Sequence, residues 1–201
     1  MKQTTKLPDK RLERVLISER AIRARLKVLA RRIVADSAGR PCVHLVGVLK
    51  GAVVFMADLG REIRKAGGPP VRFGFVRARA YGAVLKGTGE TTREVRVDLM
   101  PDGVRGSDVL LVEDILDQGF TLERVRDLLL DEGARSVQLC VLLNKQLAAP
   151  TPQVRALRER LIPDYEGFRI PDRWVAGYGL DAKEEFRELP YVAIVREEYY
   201  R

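Results

Sequence analysis

At 201 residues, 46% hydrophobic and 32% charged, the chain is long enough for one domain with a full core and too mixed in composition for disorder. It has no apolar run near the roughly 18 residues of a membrane span, and its start, MKQTTKLPDKRLERV, lacks the apolar segment of a secretion signal, so a cytoplasmic protein is expected. The net charge of +8 admits either a nucleic-acid partner or a small polyanionic substrate in a basic cleft.

Much of the positive excess lies in RAIRARLKVLARR, where basic and apolar residues alternate at helical spacing. With Ser18 as N-cap, Ile22, Leu26, Leu29 and Ile33 as the apolar stripe and Gly39 as the stop, this predicts a helix to about Ser37. VHLVGV (43–48) reads as a buried strand, LKGA as a turn, and VVFMADLGREIRKAGG as a helix stopped by Gly67 and Gly68. Residues 71–80 alternate as a strand, and a polar, glycine-rich loop, YGAVLKGTGETTRE, follows. VRVDLM and DVLLVE predict further strands, 121–132 a helix capped by Thr121, and 136–143 another strand. The connection 146–163 has room for one short helix. From 163 onward, short strand-like pieces separated by proline and glycine predict a small appendage over one end of the sheet.

Strands alternating with helices, themselves almost continuously apolar, predict an α/β fold with a mostly parallel sheet of about five strands. A single domain is expected, with a core over about 16–145 and a hood mainly from 163–201, helped by the N-terminus. Cys42 and Cys140 sit among apolar residues and read as small buried hydrophobes, since two distant cysteines make neither a metal site nor a disulfide framework. His44 lies in an apolar strand with no companion motif and reads as structural.

The chemistry concentrates in VLLVEDILDQGFTL, where a strand runs into Glu113, Asp114 and Asp117 and then a glycine loop opens a helix. Open parallel sheets bind ligands beyond the C-terminal ends of their strands. A helix N-terminus preceded by a flexible glycine can aim several N–H groups at a phosphate, and Thr121 can add a hydroxyl. The acids repel phosphate; they suit sugar hydroxyls, a magnesium ion or proton transfer. A sugar-phosphate site is the reading these residues carry by themselves.

VLLVEDILDQGFTL also resembles the phosphoribosyl-pyrophosphate (PRPP) motif of the type I phosphoribosyltransferases. The resemblance extends from about Leu16 to Val195 through LVGVLKGAVVFMADL, RAYG, VLLNK, GFRIPDRWVAGYGLD and FRELPYVAIV, which are similar to the hypoxanthine-guanine subfamily. The family fold it implies is an α/β core with a hood. The activity it implies is purine salvage: transfer of the 5-phosphoribosyl group from PRPP to N9 of hypoxanthine or guanine, giving IMP or GMP and pyrophosphate. It implies Mg2+ bound with PRPP, a homodimer or homotetramer, and neither a membrane nor a nucleic-acid partner.

The resemblance also implies residue roles. Glu113 and Asp114 meet the ribose diol and magnesium, and Gln118, Gly119, Phe120 and Thr121 cradle the 5′-phosphate. Asp117 is the general base or acid near the purine N7. Leu49, Lys50 and Gly51 form the pyrophosphate loop, with a non-proline cis peptide at Leu49–Lys50, and Arg187 joins them. Lys145 donates to the 6-oxo group, which favours hypoxanthine and guanine over adenine because a cation cannot accept from an amino group. Trp174 stacks on the base, Val175 meets its edge through the backbone, and Asp181 holds a water of the magnesium shell and approaches the guanine amino group. Ala80, Tyr81 and Gly82 begin a lid.

The chain departs from the family pattern at Ala80, which replaces a serine, at Gln118, which replaces a threonine or serine, and at Phe120, where a polar residue is common. The link from Lys145 to Trp174 is several residues longer than usual. Two alternatives accompany the leading reading. One is a PRPP- or nucleotide-sensing transcriptional regulator on the same fold, which the positive charge suits. The other is a 6-oxopurine enzyme shifted toward xanthine, which Gln118 and Glu166, assigned to the hood, keep open.

Overall fold

The computed structural model of the protein describes residues 9–81 and 94–199, without the side chains of residues 79–81 and 94. Its main sheet has six strands in the order β4-β3-β2-β5-β6-β7. These are β2 (Val43–Leu49), β3 (Val71–Tyr81), β4 (Glu94–Leu99), β5 (Asp108–Leu116), β6 (Ser136–Gln146) and β7 (Tyr165–Pro171). All neighbours pair in parallel except β3 and β4. Helices α1 (Glu19–Asp36), α2 (Ala52–Lys65), α3 (Phe120–Asp131) and α4 (Pro152–Arg160) flank it.

Alternation along the central strands explains the two covered faces. Val43 and Leu45 of β2, Leu110 and Val112 of β5, and Cys140 and Leu142 of β6 join one core with Leu26, Ile33, Phe55 and Leu59 of α1 and α2. Val46 and Val48, Val109 and Leu111, and Leu139 and Val141 point the other way and join Leu122, Val125 and Leu129 of α3 and Leu157 of α4. Helix α1 starts where the sequence places it, with the Ser18 hydroxyl accepting from the Ala21 N–H at 3.3 Å.

The tail differs from expectation in one respect. Residues 165–171 form β7, the edge strand of the main sheet, so Glu166 belongs to the sheet and not to the hood. The hood sheet is made of β1 (Leu12–Ile17), β8 (Val175–Ala176) and β9 (Val192–Val195), in the order β1-β9-β8. Its own small core includes Leu12, Ala176, Phe186, Ala193 and Val195. The sequence pattern could not separate these, because short apolar pieces between prolines look alike whichever sheet they join.

Two smaller expectations divide. Cys140 is fully buried, whereas Cys42 lies just ahead of β2 and is only partly covered. His44 is buried, with Nδ1 3.3 Å from the Ser107 hydroxyl. That hydroxyl donates to the Val104 carbonyl at 2.6 Å, so the imidazole Nδ1 must be the donor in the pair. Burial, aided by Arg72, pushes the His44 pKa down and keeps it neutral, as a structural histidine should be.

Gly167 fixes how closely β7 approaches β6. A Cβ there would lie 2.3 Å from the Leu142 carbonyl oxygen, a backbone atom that cannot swing aside. Gly167→Ala should therefore destabilise the fold by about 1–3 kcal/mol through overpacking. Denaturant unfolding measures this, and an unchanged midpoint would show that β7 can shift freely.

Candidate active site

Strand order sets the place of the site. The connection after β2 leads to β3 on one side, and that after β5 leads to β6 on the other, so the crevice between the ends of β2 and β5 is a switch point. The β2–β5 ladder stops at Gly47 and Val112, while β5 continues beside β6 as far as Leu116 and Asn144. Glu113 and Asp114 thus lie inside the strand and not at its end, with the β2 side open to the loop that follows β2.

Both carboxylates are buried, at 8% and 9% exposure. Burial raises both pKa values, and the nearby Asp114 charge pushes Glu113 up further. Asp114 Oδ1 accepts from the Ile115 N–H at 2.8 Å, which favours its ionised form against the effect of burial. Asp114 Oδ2 lies where a side chain on Gly51 would be, 1.7 Å from the position of a Cβ. Only glycine permits that approach.

The Leu49–Lys50 peptide is cis, as the resemblance implies. Above Gly51 sits Gly179, whose backbone has φ +100° and whose own Cβ would meet the Gly51 carbonyl at 2.1 Å. Asp114, Gly51 and Gly179 therefore stack, joining β5, the loop after β2 and the hood. Arg187 extends the stack, donating to the Gly179 carbonyl at 2.8 Å and pairing with Asp181 at 2.8 Å. Lys50 pairs with Glu184 at 2.7 Å, and Arg187 reaches the same carboxylate at 3.4 Å. Lys50 and Arg187 draw the Glu184 pKa down. Asp181 also accepts from the Glu184 N–H at 2.9 Å. Glu184 escaped the sequence reading, since nothing in AKEEF distinguishes it from a solvated acid.

A second group lies at the ends of β5 and β6. Lys145, inside β6 and 8% exposed, donates through Nζ to Asp117 Oδ2 at 2.9 Å. Asp117 follows β5 directly and is about half exposed, at 49%. One nearly buried cation thus orients one accessible carboxylate. Beyond them, residues 117–119 make a turn into α3, and a cavity of about 80 Å³ is lined by Glu113, Asp117, Gln118, Gly119, Phe120 and Thr121.

The cap of α3 corrects the sequence reading: it is Gly119, with φ +100° and no side-chain bond, and not Thr121. The first-turn N–H groups of α3 are consequently left without a side-chain cap beside the cavity, the arrangement that suits an anion. Phe120 opens the helix and packs against the second core, which accounts for an apolar residue there.

The purine-facing candidates Trp174 and Val175 lie at the start of the hood. Trp174 is 46% exposed and its carbonyl accepts from the Val195 N–H at 2.9 Å, while Val175 is buried in β8. Ala80 and Tyr81 end β3, paired with Val95 and Glu94. Their side chains, Gly82 and the rest of the expected lid lie outside the described residues. Arg158 on α4, unmarked by any motif, donates to backbone at both Asp117 and Lys145.

A phosphoribosyl transferase domain model matches residues 16–183. The chain belongs to the phosphoribosyltransferase family. It is 40% identical over 186 residues to the hypoxanthine phosphoribosyltransferase of Salmonella typhimurium, covering 90% of this chain and 94% of that one. The hypoxanthine-guanine phosphoribosyltransferase of Streptococcus pneumoniae is 35% identical over 189 residues, covering 94% and 96%. Among solved structures, the hypoxanthine phosphoribosyltransferase of Trypanosoma cruzi in a ternary substrates complex superposes with a TM-score of 0.80 at 33% identity, covering 96% of this chain and 100% of that chain. The phosphoribosyltransferase fold and the mostly parallel sheet are thus as expected, with β7 as a sixth strand, parallel to β6, beyond the five the sequence predicts.

The buried acids make a pH prediction for this phosphoribosyltransferase. Their folded pKa values lie above their unfolded ones, so the native state holds protons that the unfolded chain releases. Stability is then greatest at or below the ordinary carboxylate range and falls as pH climbs from there toward the raised values. Glu113→Gln should stabilise the ligand-free protein at neutral pH, and the gain should vanish near pH ~3, below the ordinary glutamate value, where the side chain is protonated in both states. Thermal melts at the two pH values measure it; equal gains at both would contradict the burial argument.

Proposed function

We propose that this chain is a cytoplasmic purine-salvage enzyme that transfers the 5-phosphoribosyl group from PRPP to N9 of hypoxanthine or guanine. The observation that carries the reading is the Lys145–Asp117 pair beside the phosphate cradle at the end of β5. A nearly buried lysine can only donate, so it suits the 6-oxo group of a purine and rejects the 6-amino group of adenine. The relatives' names support the same substrates, and they give the regulator reading no support.

In the reaction, the N9 lone pair bonds to the anomeric carbon of PRPP as the bond from that carbon to the pyrophosphate oxygen breaks. The N7 proton of the purine passes to the Asp117 carboxylate. The uncapped start of α3, with Gly119 and Thr121, takes the 5′-phosphate, and Glu113 and Asp114 take the ribose hydroxyls. Lys50 and Arg187 meet the leaving pyrophosphate, which must displace Glu184 from both. Their charges act where negative charge develops, which is usually the largest catalytic contribution. Trp174 supplies the aromatic face for the base, and the segment beginning at Ala80, Tyr81 and Gly82 excludes water.

Magnesium bound with PRPP supplies further positive charge to the pyrophosphate. The chain's carboxylates suit it: Mg2+ prefers oxygen donors, keeps several waters and is commonly shared with substrate phosphates. Glu113, Asp114 and Asp181 offer such oxygens, while no cluster of three or more His, Cys, Asp or Glu among the described residues would hold a metal alone. Assembly as a homodimer or homotetramer belongs to the same reading.

Steady-state assays with magnesium, PRPP and each of hypoxanthine, guanine, xanthine and adenine test the proposal. Turnover with hypoxanthine or guanine and pyrophosphate release are expected; turnover with none of the four would sink it. Within the same assay, Lys145→Ala should raise the KM for the base by about 10- to 100-fold, the worth of a buried charged hydrogen bond. The KM for PRPP should change much less, and an unaltered base KM would reject the role given to Lys145.

A further inference from the structure

Helix α4 occupies the link between Lys145 and Trp174 that exceeds the family pattern in length. Its start is locally encoded, since the Thr151 hydroxyl accepts from the Val154 N–H at 3.3 Å and Pro152 fills the first turn. Its buried face is not spent on general packing alone. Leu157, with Leu161 just past the helix, lies directly under Gly119, whose Cβ position is 3.4 Å from Leu157 and 3.0 Å from Leu161. Arg160 pairs with Glu123 in the first turn of α3 at 2.5 Å. The helix is thus applied to the underside of the phosphate cradle.

Arg158 points from α4 to the ends of β5 and β6. Its Nη1 donates to the carbonyls of Leu116, at 3.2 Å, and Asp117. Its Nη2 donates to the carbonyl of Lys145, at 3.2 Å, and to Asn144 Oδ1. The Asn144 amide is itself held by Glu166, to which Nδ2 donates at 2.5 Å. One guanidinium therefore grips the backbone of both residues whose side chains form the Asp117–Lys145 pair. Carbonyls beyond the last ladder bond of a strand need donors when water is excluded. A planar fork with five N–H groups can serve four acceptors on two strands, which an ammonium cannot.

We infer that Arg158 is a positioning residue for catalysis, delivered by α4 and setting the separation of Asp117 from Lys145. This rests on the purine-transfer reading, in which these two side chains must meet N7 and O6 of one base together. Displacements near 1 Å at such a pair can cost about 100-fold in rate. The inference also gives Glu166 a use: it orients the asparagine that completes the grip.

The test compares the unaltered chain, Arg158→Ala and Arg158→Lys in steady-state turnover with PRPP, magnesium and hypoxanthine. Arg158→Ala should lower kcat by about 10- to 100-fold, with a much smaller change in the KM for PRPP and a folded protein by circular dichroism. Arg158→Lys, which keeps the charge but loses the fork, should recover only part of the rate. Added guanidinium should restore Arg158→Ala, because an opening of about 280 Å³ lined by Lys145, Arg155, Arg158 and Glu159 gives it access. An Arg158→Ala rate within about twofold of the unaltered one would overturn the inference. So would full recovery in Arg158→Lys, or a loss matched by lost folded protein in both variants and indifferent to guanidinium. No turnover by the unaltered chain would instead defeat the purine-transfer reading, and this inference with it.

Discussion

Two carboxylates buried side by side in β5 are the constraint around which the rest of the site is arranged. Glu113 and Asp114 sit where burial raises both their pKa values, and they repel one another once ionised. A core filled for stability alone would place apolar residues there. The surroundings accommodate the pair by removing what could crowd it: β2 stops pairing with β5 at Gly47, and Gly51 has no side chain. The result is a buried, acidic crevice facing a cationic loop, which suits the sugar and the metal-bound pyrophosphate of the proposed reaction.

The same crevice explains the hood. Gly179 packs on the carbonyl of Gly51, and Arg187 is anchored to the carbonyl of Gly179 while it pairs with Asp181. The hood is therefore keyed to the β2–α2 loop through backbone contacts that tolerate no larger residue. Glu184 pairs with both Lys50 and Arg187 in the ligand-free protein. In the proposed reaction, binding exchanges one anion for another and never leaves these cations bare. On the opposite side, α4 and Arg158 brace the loop that carries Asp117.

Much of this was legible in the sequence because its signals are local. The Ser18 cap, the near-continuous apolar strands and the turn after VLLVEDIL each act over a few residues, and the VEDILDQGFT motif pointed to the crevice on which the proposed function rests. What was not legible depends on contacts between distant segments. The length of β5 is set by its pairing with β6, so Glu113 and Asp114 were placed at a strand end that lies three residues further on. Residues 165–171 join the main sheet because β6 extends to Gln146 and offers them a partner, which no local pattern announces. Thr121 looked like a cap by residue type, yet Gly119 can take the left-handed conformation that starts the helix earlier. Arg158 and Glu184 were invisible for a plainer reason: in an arginine- and glutamate-rich chain, only the fold tells which charge meets a residue of the candidate site.

Calorimetric titration with magnesium and PRPP tests most directly whether the crevice at Glu113 and Asp114 takes the ligand. The unaltered chain should bind, and a chain carrying both Glu113→Gln and Asp114→Asn should bind at least about tenfold more weakly, the worth of a lost charged hydrogen bond. No binding by the unaltered chain, or equal affinity in the two proteins, would contradict the place given to the ligand.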